Sequence, residues 1–283
     1  MDIFTEKLTL KAHISKLKSQ NKTIGFIPTM GALHRGHLSL IKKAQKKNDI
    51  VVVSIFINPT QFDKAEDLIN YPKTLKNDIQ LLKSVACNVL FHPSVKEVYG
   101  ENTVSEKFNF DGLEHEMEGK YREGHFDGVG TIVKTLFEIV NPDKAYFGQK
   151  DFQQLQIIKK MVKQNRLPLK VKGCKIFREK DGLAMSSRNA RLSKEHRAAA
   201  TFIYKTLKKT KKRFHTKSVN EICDWVTNQF KNHPLLQLEY FTIADEKTLK
   251  TIEIKESDKK YRAFIAVFAG EIRLIDNIPL RQE

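Results

Sequence analysis

The stretch TIGFIPTMGALHRGHLSLIKKAQKKNDIVVVSIFIN, from Thr23 to Asn58, alternates β-rich runs with a segment of helical periodicity. TIGFIP and DIVVVSIFIN are rich in β-branched and aromatic residues and predict strands, whereas HLSLIKKAQKK predicts a helix between them. Because the connection is of crossover length, the two strands are expected to lie parallel in one sheet.

The same alternation continues along the chain. Helices are predicted in TLKNDIQLLKSVA, GVGTIVKTLFEIV and DFQQLQIIKKMVKQN, and strands in NVLFHP, KAYFG and LKVKGCKIF. Parallel strands joined by helices bury both faces of their sheet. We therefore predict an α/β fold with a Rossmann-like doubly wound parallel sheet over residues 1–176.

The pattern changes near Phe177. KEHRAAATFIYKTLKK and VNEICDWVTNQFKN predict helices, and LEYFTIAD, YRAFIAVFAG and EIRLIDN predict antiparallel strands. Residues 177–283 are therefore predicted to form a second, smaller α+β domain, with the polar loop REKDGLAMSSRNARL near the junction.

The charge is strongly basic but scattered. The 50 Lys and Arg against 33 Asp and Glu give a formal net charge of +17, which raises a polyanion such as nucleic acid as a partner. The densest run, Lys205–Lys217, is interpreted as the solvated face of a helix end, with a nucleic-acid patch as the alternative. Since no RNA-binding or zinc-finger pattern accompanies it, we expect no nucleic-acid partner.

Cysteine usage and hydropathy predict a soluble cytoplasmic protein without a membrane partner. Cys87, Cys174 and Cys223 are odd in number and far apart, which indicates reduced, mostly buried thiols and neither disulfides nor a thiolate metal site. The longest apolar run, Ile50–Ile57, is broken at Ser54 and is far shorter than the ~18 residues of a membrane-spanning helix. The N-terminal sequence lacks the apolar region of a signal peptide.

His34 and His37 stand at the start of the helix predicted after TIGFIP, with Gly36 between them. A helix N-terminus offers unpaired N–H groups and partial positive charge, which favour phosphate, and two imidazoles add further donors. Gly36 would let a planar ligand approach the backbone. Two alternatives stay open: a pair that only caps or packs, and a His-x-x-His metal pair whose third ligand would have to come from the distant Glu114–Glu116.

Two further polar stretches follow predicted strands. NPTQF offers the carboxamides of Asn58 and Gln61, which suit hydroxyl and carboxylate groups, although Asn-Pro is also an ordinary turn signal. FGQKDFQQ offers Lys150 as a phosphate partner, Asp151 as a ribose acceptor or helix cap, and Gln154. Because ligands bind beyond the carboxyl ends of parallel strands, these loops and TMGALHRGH are expected to meet in one crevice.

MSSRN, Met185–Asn189, follows Asp181 and Gly182 in a loop that the sequence predicts to be mobile. Its two hydroxyls and guanidinium suit the negative charge of a departing pyrophosphate. A plain polar turn is the alternative.

In this order along the chain, several stretches resemble the pantoate–β-alanine ligase (pantothenate synthetase) family of the HxGH nucleotidyltransferase-like superfamily. They are PTMGALHRGH, VVVSIFINPTQF, YPKTLKND, HPSVKEVYG, REGHFDGV, FGQKDFQQ, DGLAMSSRN and RLIDN. The resemblance covers nearly the whole chain. It implies a cytoplasmic homodimer that uses ATP, with Mg²⁺, to form pantoyl-adenylate and pyrophosphate from pantoate, after which β-alanine displaces AMP.

The resemblance also implies roles for individual residues. His37, His34, Lys150 and Arg188 would be catalytic, with His37 as proton donor; Gln61 and Gln154 would bind pantoate, and Gln61 also β-alanine. Asp78 would lie near the metal, Arg122 near the reacting groups, and the domain 177–283 would close over the ATP site. The implied ATP-binding residues are Met30, Gly31, Ala32, Leu33, His34, Arg35, Gly36, His37, Gly148, Gln149, Lys150, Asp151, Phe177, Met185, Ser186, Ser187 and Arg188.

Two local departures from the family pattern stand near these positions. Gln149 occupies a position where Glu is frequent, and Tyr121 and Glu123 flank Arg122 where Pro often follows. A nucleotidyltransferase that adenylates another acid or a phosphate ester is the nearest alternative function, and a Lys-rich RNA-binding module is an alternative of a different class.

Overall fold

The computed structural model describes residues 1–63 and 65–281, and the chain divides into two compact units. The first unit contains residues 1–149 and 153–175. The second contains residues 150–152 and the chain from Ile176 onward.

The first unit contains a six-stranded sheet in the order β1-β4-β3-β2-β5-β6, and each of its strand pairs is parallel. Its strands are β1 (Asp2–Phe4), β2 (Ile24–Thr29), β3 (Ile50–Ile55), β4 (Val89–Phe91), β5 (Lys144–Gly148) and β6 (Lys170–Cys174). The predicted α/β doubly wound fold is thus confirmed, and the predicted strands are present. β1 was not predicted, because three residues are too few to show a hydrophobic period.

Helices connect these strands. They are α1 (Lys7–Ser19), α2 (Arg35–Gln45), α3 (Ala65–Ile69), α4 (Leu75–Ser84), α5 (Val95–Tyr99), α6 (Glu118–Tyr121), α7 (His125–Val140) and α8 (Phe152–Gln164). Short 3₁₀ helices lie at Pro59–Gln61, Leu113–His115 and Gln149–Asp151. The apolar runs of the sequence form the core of this unit. Val51–Val53 of β3 are inaccessible to solvent, and most of α7 is buried.

The second unit contains an antiparallel sheet in the order β7-β8-β9, as predicted. Its elements are α9 (Lys194–Ala199), α10 (Thr201–Arg213), α11 (Val219–Phe230), β7 (Gln237–Asp245), β8 (Tyr261–Ala269) and β9 (Ile272–Leu280), with a 3₁₀ helix at Ser187–Arg191. KEHRAAATFIYKTLKK forms two helices that meet at Ala200 where one was predicted.

The Lys-rich run lies mostly on the exposed side of α10, whose Ile203 and Leu207 point into the core of the second unit. This exposure agrees with a solvated helix face, and the expected absence of a nucleic-acid partner stays a prediction. The three cysteines are free, as predicted, and burial raises the pKa of Cys87 to about 11. In the part of the chain that the structure describes, no helix combines the length and apolar character needed to span a bilayer.

Candidate active site

Three chain segments leave the same edge of the parallel sheet. β2 pairs in parallel with β3 on one side and β5 on the other, so the carboxyl ends of these strands are neighbours. The loop after β2 carries Met30, the loop after β3 carries Asn58 and Gln61, and Gly148 ends β5 beside Gln149. Gln61 Nε2 donates to Met30 Sδ at 2.9 Å. The predicted meeting of the loops after β2 and β3 is therefore confirmed.

The two imidazoles cap the helix at which they stand. α2 begins at Arg35, and His34 is its N-cap residue. His34 Nδ1 accepts a hydrogen bond from Gly36 N–H at 3.1 Å, and His37 Nδ1 accepts one from His34 N–H at 3.3 Å. The rings are stacked, with centroids 4.0 Å apart. The two histidines therefore do cap the helix, and the capping hydrogen bonds use the Nδ1 atom of both rings.

Capping decides which nitrogen of each ring carries the proton. A neutral imidazole has one donor and one acceptor nitrogen, and Nδ1 is the acceptor in both His34 and His37. Each neutral ring is therefore a donor through Nε2. Together with the partial positive charge of the helix N-terminus, two such donors suit negative charge on phosphate oxygens.

The carboxylate of Asp78 holds the backbone of the loop that precedes α2. Asp78 is 1% exposed, and its two oxygens accept hydrogen bonds from Ala32 N–H at 3.0 Å and Leu33 N–H at 2.8 Å. Thr74 Oγ1 lies 3.2 Å from each oxygen. Gly31 and Ala32 have φ of 84° and 48°, which strains an Ala backbone. The buried carboxylate thus fixes a strained turn next to the imidazoles.

The surroundings of Asp78 suit a loop anchor better than a metal ligand. Both oxygens of its carboxylate already accept hydrogen bonds, and among residues 1–63 and 65–281 no three His, Cys, Asp or Glu side chains are grouped to hold a metal ion. Mg²⁺ often binds through one or two carboxylates together with substrate phosphates, and it keeps several water ligands. The metal role of Asp78 stays a prediction.

Asn58 and Gln61 have different roles, although the sequence suggests that both contact a ligand. Asn58 is buried, and its Oδ1 accepts from Tyr99 Oη at 2.6 Å. Its Nδ2 donates to Gln61 Oε1 at 3.2 Å and to Gly128 O at 3.1 Å. Asn58 therefore orients the carboxamide of Gln61, which is the better candidate for substrate contact.

A buried imidazole and a guanidinium hold the backbone carbonyl of Gln61. His125 is 6% exposed, and its Nδ1–H donates to Gln61 O at 2.8 Å, so Nε2 accepts from Arg122 Nη1 at 3.1 Å. Arg122 also pairs with Asp63 at 3.3 Å and lies 3.9 Å from Glu118. Burial and the Arg122 charge lower the pKa of His125 to about 4. At neutral pH the imidazole of His125 is therefore uncharged while it holds the backbone carbonyl of Gln61.

This buried imidazole predicts a loss of stability in acid. Between its unfolded pKa of about 6.5 and its folded pKa of about 4, only the unfolded chain binds the proton, so the free energy of unfolding falls as pH falls. The full shift corresponds to about 3 kcal/mol. Urea unfolding at pH 7.5, 5.5 and 4.5 should show a shallower pH dependence for His125→Asn than for the wild type. The exposed His115→Asn is the control, and equal slopes in all three proteins would contradict the assignment.

Gly128 allows α7 to approach the 3₁₀ helix at Pro59–Gln61. A Cβ built on Gly128 would lie 2.3 Å from Thr60 O and 2.8 Å from Gln61 Cα. These are backbone atoms, so the clash cannot be relieved by a side-chain rotation. Gly128 and Gly130 lack the third glycine of a dinucleotide-binding fingerprint. In this structure Gly128 serves close packing of α7 against the 3₁₀ helix.

We expect Gly128→Ala to shift the Gln61 backbone and to destabilise the protein by about 1–3 kcal/mol, the usual cost of overpacking. Gly130→Ala is the matched variant, because its added Cβ would meet the rings of Phe108 and Phe110 at 3.0–3.1 Å and not backbone. The free energy of unfolding is measured in urea for both variants and the wild type. A larger loss for Gly130→Ala would refute this account.

The predicted residues of FGQKDFQQ fall into both units. Gln154 is partly exposed on α8 in the first unit, whereas Lys150 and Asp151 belong to the second. Lys150 Nζ lies 3.4 Å from Asp151 Oδ1, and the Lys150 side chain is largely buried. Gln153, which the sequence does not distinguish from Gln154, donates to the carbonyls of Leu113 and Glu116 and so has a structural role.

The segment predicted as a mobile loop is hydrogen-bonded in the second unit. Met185 N–H donates to Phe177 O at 3.0 Å, and Arg178 bridges Ala184 in an antiparallel pair. Gly182, with φ of 97°, closes this hairpin. Two of the residues that the resemblance assigns to ATP, Phe177 and Met185, are thereby paired across it.

The Ser186–Arg188 stretch, called SSR here, follows at the start of a 3₁₀ helix. Ser186 is the N-cap, and its Oγ accepts from Arg188 N–H at 3.3 Å. Ser187 and Arg188 form the first turn, so the backbone of the motif is set by its own capping serine. Their ATP-binding roles stay predictions, as do those of Arg35, Gly148 and Gln149.

Sequence reasoning missed supports that only contacts reveal. His125 and Asp78 hold residues that are distant in sequence, namely Gln61 and the backbone of Ala32 and Leu33. REGHFDGV and YPKTLKND contain His125 and Asp78, so the motifs locate these residues, but no periodicity or spacing states what they touch.

Comparison with known proteins gives one consistent result. The sequence model of the family described as pantoate-beta-alanine ligase matches residues 2–279. The pantothenate synthetases of Flavobacterium psychrophilum and Christiangramia forsetii are each 54% identical to this chain. Each alignment covers 99% of this chain, and it covers 100% of the first relative and 99% of the second.

Solved structures agree. The pantothenate synthetase from Thermus thermophilus superposes with a TM-score of 0.90 at 36% identity, over 99% of this chain and 100% of that one. The pantoate-beta-alanine ligase from Francisella tularensis, complexed with beta-gamma ATP and beta-alanine, has a TM-score of 0.81 at 36% identity, over 99% and 97% of the two chains.

Proposed function

This chain belongs to the pantoate-beta-alanine ligase family, and we propose that it joins pantoate to β-alanine with cleavage of ATP. In the first step, a pantoate carboxylate oxygen attacks the α-phosphorus, the bond to the bridging oxygen breaks, and pyrophosphate leaves. In the second step, the β-alanine amine attacks the acyl carbon of pantoyl-adenylate, the bond from this carbon to the phosphate oxygen breaks, and AMP leaves with the electron pair while the new amide nitrogen loses one proton to solvent.

The capped imidazole pair at the start of α2 is the observation that carries this proposal. Both Nε2 atoms of the neutral rings are donors, since both Nδ1 atoms accept backbone hydrogen bonds. Donors fixed before the reaction stabilise charge as it develops without reorganising. His37 and His34 therefore suit the phosphates of ATP, where the attack of one anion on another must be offset.

The remaining roles follow the family resemblance. Lys150 and Arg188 offset phosphate charge, and Gln61 and Gln154 hold pantoate through hydroxyl and carboxylate groups. The support of Gln61 from Asn58 and His125 favours its role as a positioned ligand group. Mg²⁺ would enter with ATP as part of the substrate and supply further charge compensation.

The assignment of nucleotide and pantoate binding to residues 1–176, and of closure over ATP to 177–283, is part of this proposal. So are the homodimer, the cytoplasmic location and the absence of a nucleic-acid or membrane partner.

The test is release of AMP and pyrophosphate from ATP by the purified protein. Pyrophosphate should appear with pantoate alone up to the amount of enzyme, and turnover with AMP release should require β-alanine. Replacing pantoate by other hydroxy acids tests the alternative substrate. Equal turnover with another acid, or no pantoate-dependent cleavage, would overturn the proposal.

A further inference from the structure

The terminal motif RLIDN, Arg273–Asn277, resembles the family but has no part in the mechanism above. It lies on β9 in the second unit, where Asp276 is 4% and Asn277 2% exposed. Buried polar side chains are nearly always hydrogen-bonded, so the partners of Asp276 and Asn277 show which parts of the chain these residues hold in place. The contacts of both residues lead to segments that carry predicted ATP-binding residues.

Asp276 fixes the hairpin that leads into the SSR residues. Its Oδ2 and Oδ1 accept from Nη1 and Nη2 of Arg178 at 2.6 and 2.9 Å, a bidentate pair. Arg178 Nη1 also donates to Gly182 O at 3.1 Å, and its guanidinium lies 3.7 Å from the ring centroid of Tyr204. Asp276 therefore holds the hairpin that carries Phe177 through the largely buried side chain of Arg178.

Asn277 holds the backbone of Lys150. Its Nδ2 donates to Lys150 O at 2.8 Å, and its Oδ1 accepts from Arg262 Nη1 at 2.6 Å. Arg262 is itself fixed, because Glu246 accepts from its Nε at 2.9 Å and its guanidinium lies 4.0 Å from the ring centroid of Phe152. The carboxamide of Asn277 thus cannot turn without losing a bond to a buried cation.

Residues 150–152 are consequently attached to the second unit at two points. Asn277 binds the carbonyl of Lys150 at one end. At the other end the ring of Phe152 contacts both the guanidinium of Arg262 and the ring of Phe264, whose centroid lies 5.9 Å from that of Phe152. This attachment explains why the short segment belongs to the second unit while the chain on either side of it belongs to the first.

We propose that Asn277 is a positioning residue for the ATP-binding segment at Lys150, and that Asp276 fixes the SSR hairpin from the same strand end. One pair of neighbouring side chains then sets both the backbone of Lys150 and that of the hairpin. The inference rests on the proposed function in one respect, namely that Lys150 contacts ATP. It does not require Asn277 to touch substrate.

Asn277→Asp is the sharpest variant. The change keeps the size of the side chain and an oxygen for Arg262, but it replaces the donor to Lys150 O by a second oxygen. Loss of one fixed hydrogen bond of this kind corresponds to about a tenfold effect. We expect KM for ATP to rise about tenfold and KM for pantoate to stay within twofold, a split that general destabilisation does not produce.

Ile278→Val is the matched control. Ile278 is the next residue on β9 and packs in the core of the second unit, so this variant lowers the melting temperature without changing the hydrogen bond to Lys150. Its KM for ATP should equal that of the wild type well below the melting temperature. An ATP effect of the same size in Ile278→Val would overturn the inference.

A double-mutant cycle with Lys150→Ala tests whether Asn277 acts through Lys150. If it does, Asn277→Asp has little further effect on KM for ATP once the Lys150 ammonium is gone. Fully multiplicative effects would overturn the inference.

Hydrogen exchange separates this inference from the proposed function. Peptides that cover residues 150–152 should exchange faster in Asn277→Asp than in the wild type or Ile278→Val, whether or not the enzyme makes pantothenate. Unchanged exchange there would overturn the inference, whereas an inactive wild type with faster exchange in the variant would overturn only the proposed function.

Discussion

Replacement of His37 by Ala should lower pantoate-dependent exchange of pyrophosphate into ATP by about 10²–10⁴-fold, the usual contribution of a positioned proton donor. The reason is that the change removes an Nε2–H donor whose tautomer is fixed by the His34 backbone. His37 lies partly exposed at the start of α2 and outside the core, so the fold should survive.

The loss of a cap must be separated from the loss of the donor. His37→Asn keeps an oxygen that can accept from His34 N–H but lacks the imidazole, so it should retain the melting temperature of the wild type and stay as inactive as His37→Ala. His115→Ala removes an exposed imidazole elsewhere in the first unit and should exchange pyrophosphate normally. Wild-type exchange by a folded His37→Ala protein would remove the imidazole from the mechanism.

Replacement of Asp78 by Ala should have the second largest effect. It leaves Ala32 N–H and Leu33 N–H without their carboxylate acceptor, and each unsatisfied buried group costs about 1–3 kcal/mol. We expect a stability loss of roughly 2–6 kcal/mol and a fall of about 10²-fold in adenylation, since the turn that carries the imidazoles is no longer held.

Asp78→Asn distinguishes a loop anchor from a metal ligand. The amide keeps one acceptor oxygen but presents a donor to one of the two backbone N–H groups, so both stability and adenylation should fall by less than in Asp78→Ala. If Asp78 anchors the loop, raising Mg²⁺ leaves the defect of Asp78→Asn unchanged. Recovery of activity at high Mg²⁺ with wild-type stability would show instead that Asp78 serves the metal.

The sequence by itself determined the parallel fold. Alternation of buried strand runs such as Ile50–Ile57 with amphipathic helices leaves few other ways to bury both kinds of segment. It also predicted a site at the ends of β2, β3 and β5, because ligand loops of parallel sheets follow the carboxyl ends of strands. Short elements such as β1 were not predicted, since three residues carry no periodicity.

Only the tertiary structure decided what each polar group in these motifs does. Asp78 binds backbone that lies more than 40 residues earlier in the chain, His125 binds the carbonyl of Gln61, and Asn277 binds that of Lys150 across 127 positions. A hydrogen bond forms only when the donor–acceptor distance is right to within a few tenths of an ångström and the donor points at the acceptor. Hydrophobic patterning specifies which faces of the helices and strands are buried. It does not specify which donor meets which acceptor in the folded protein.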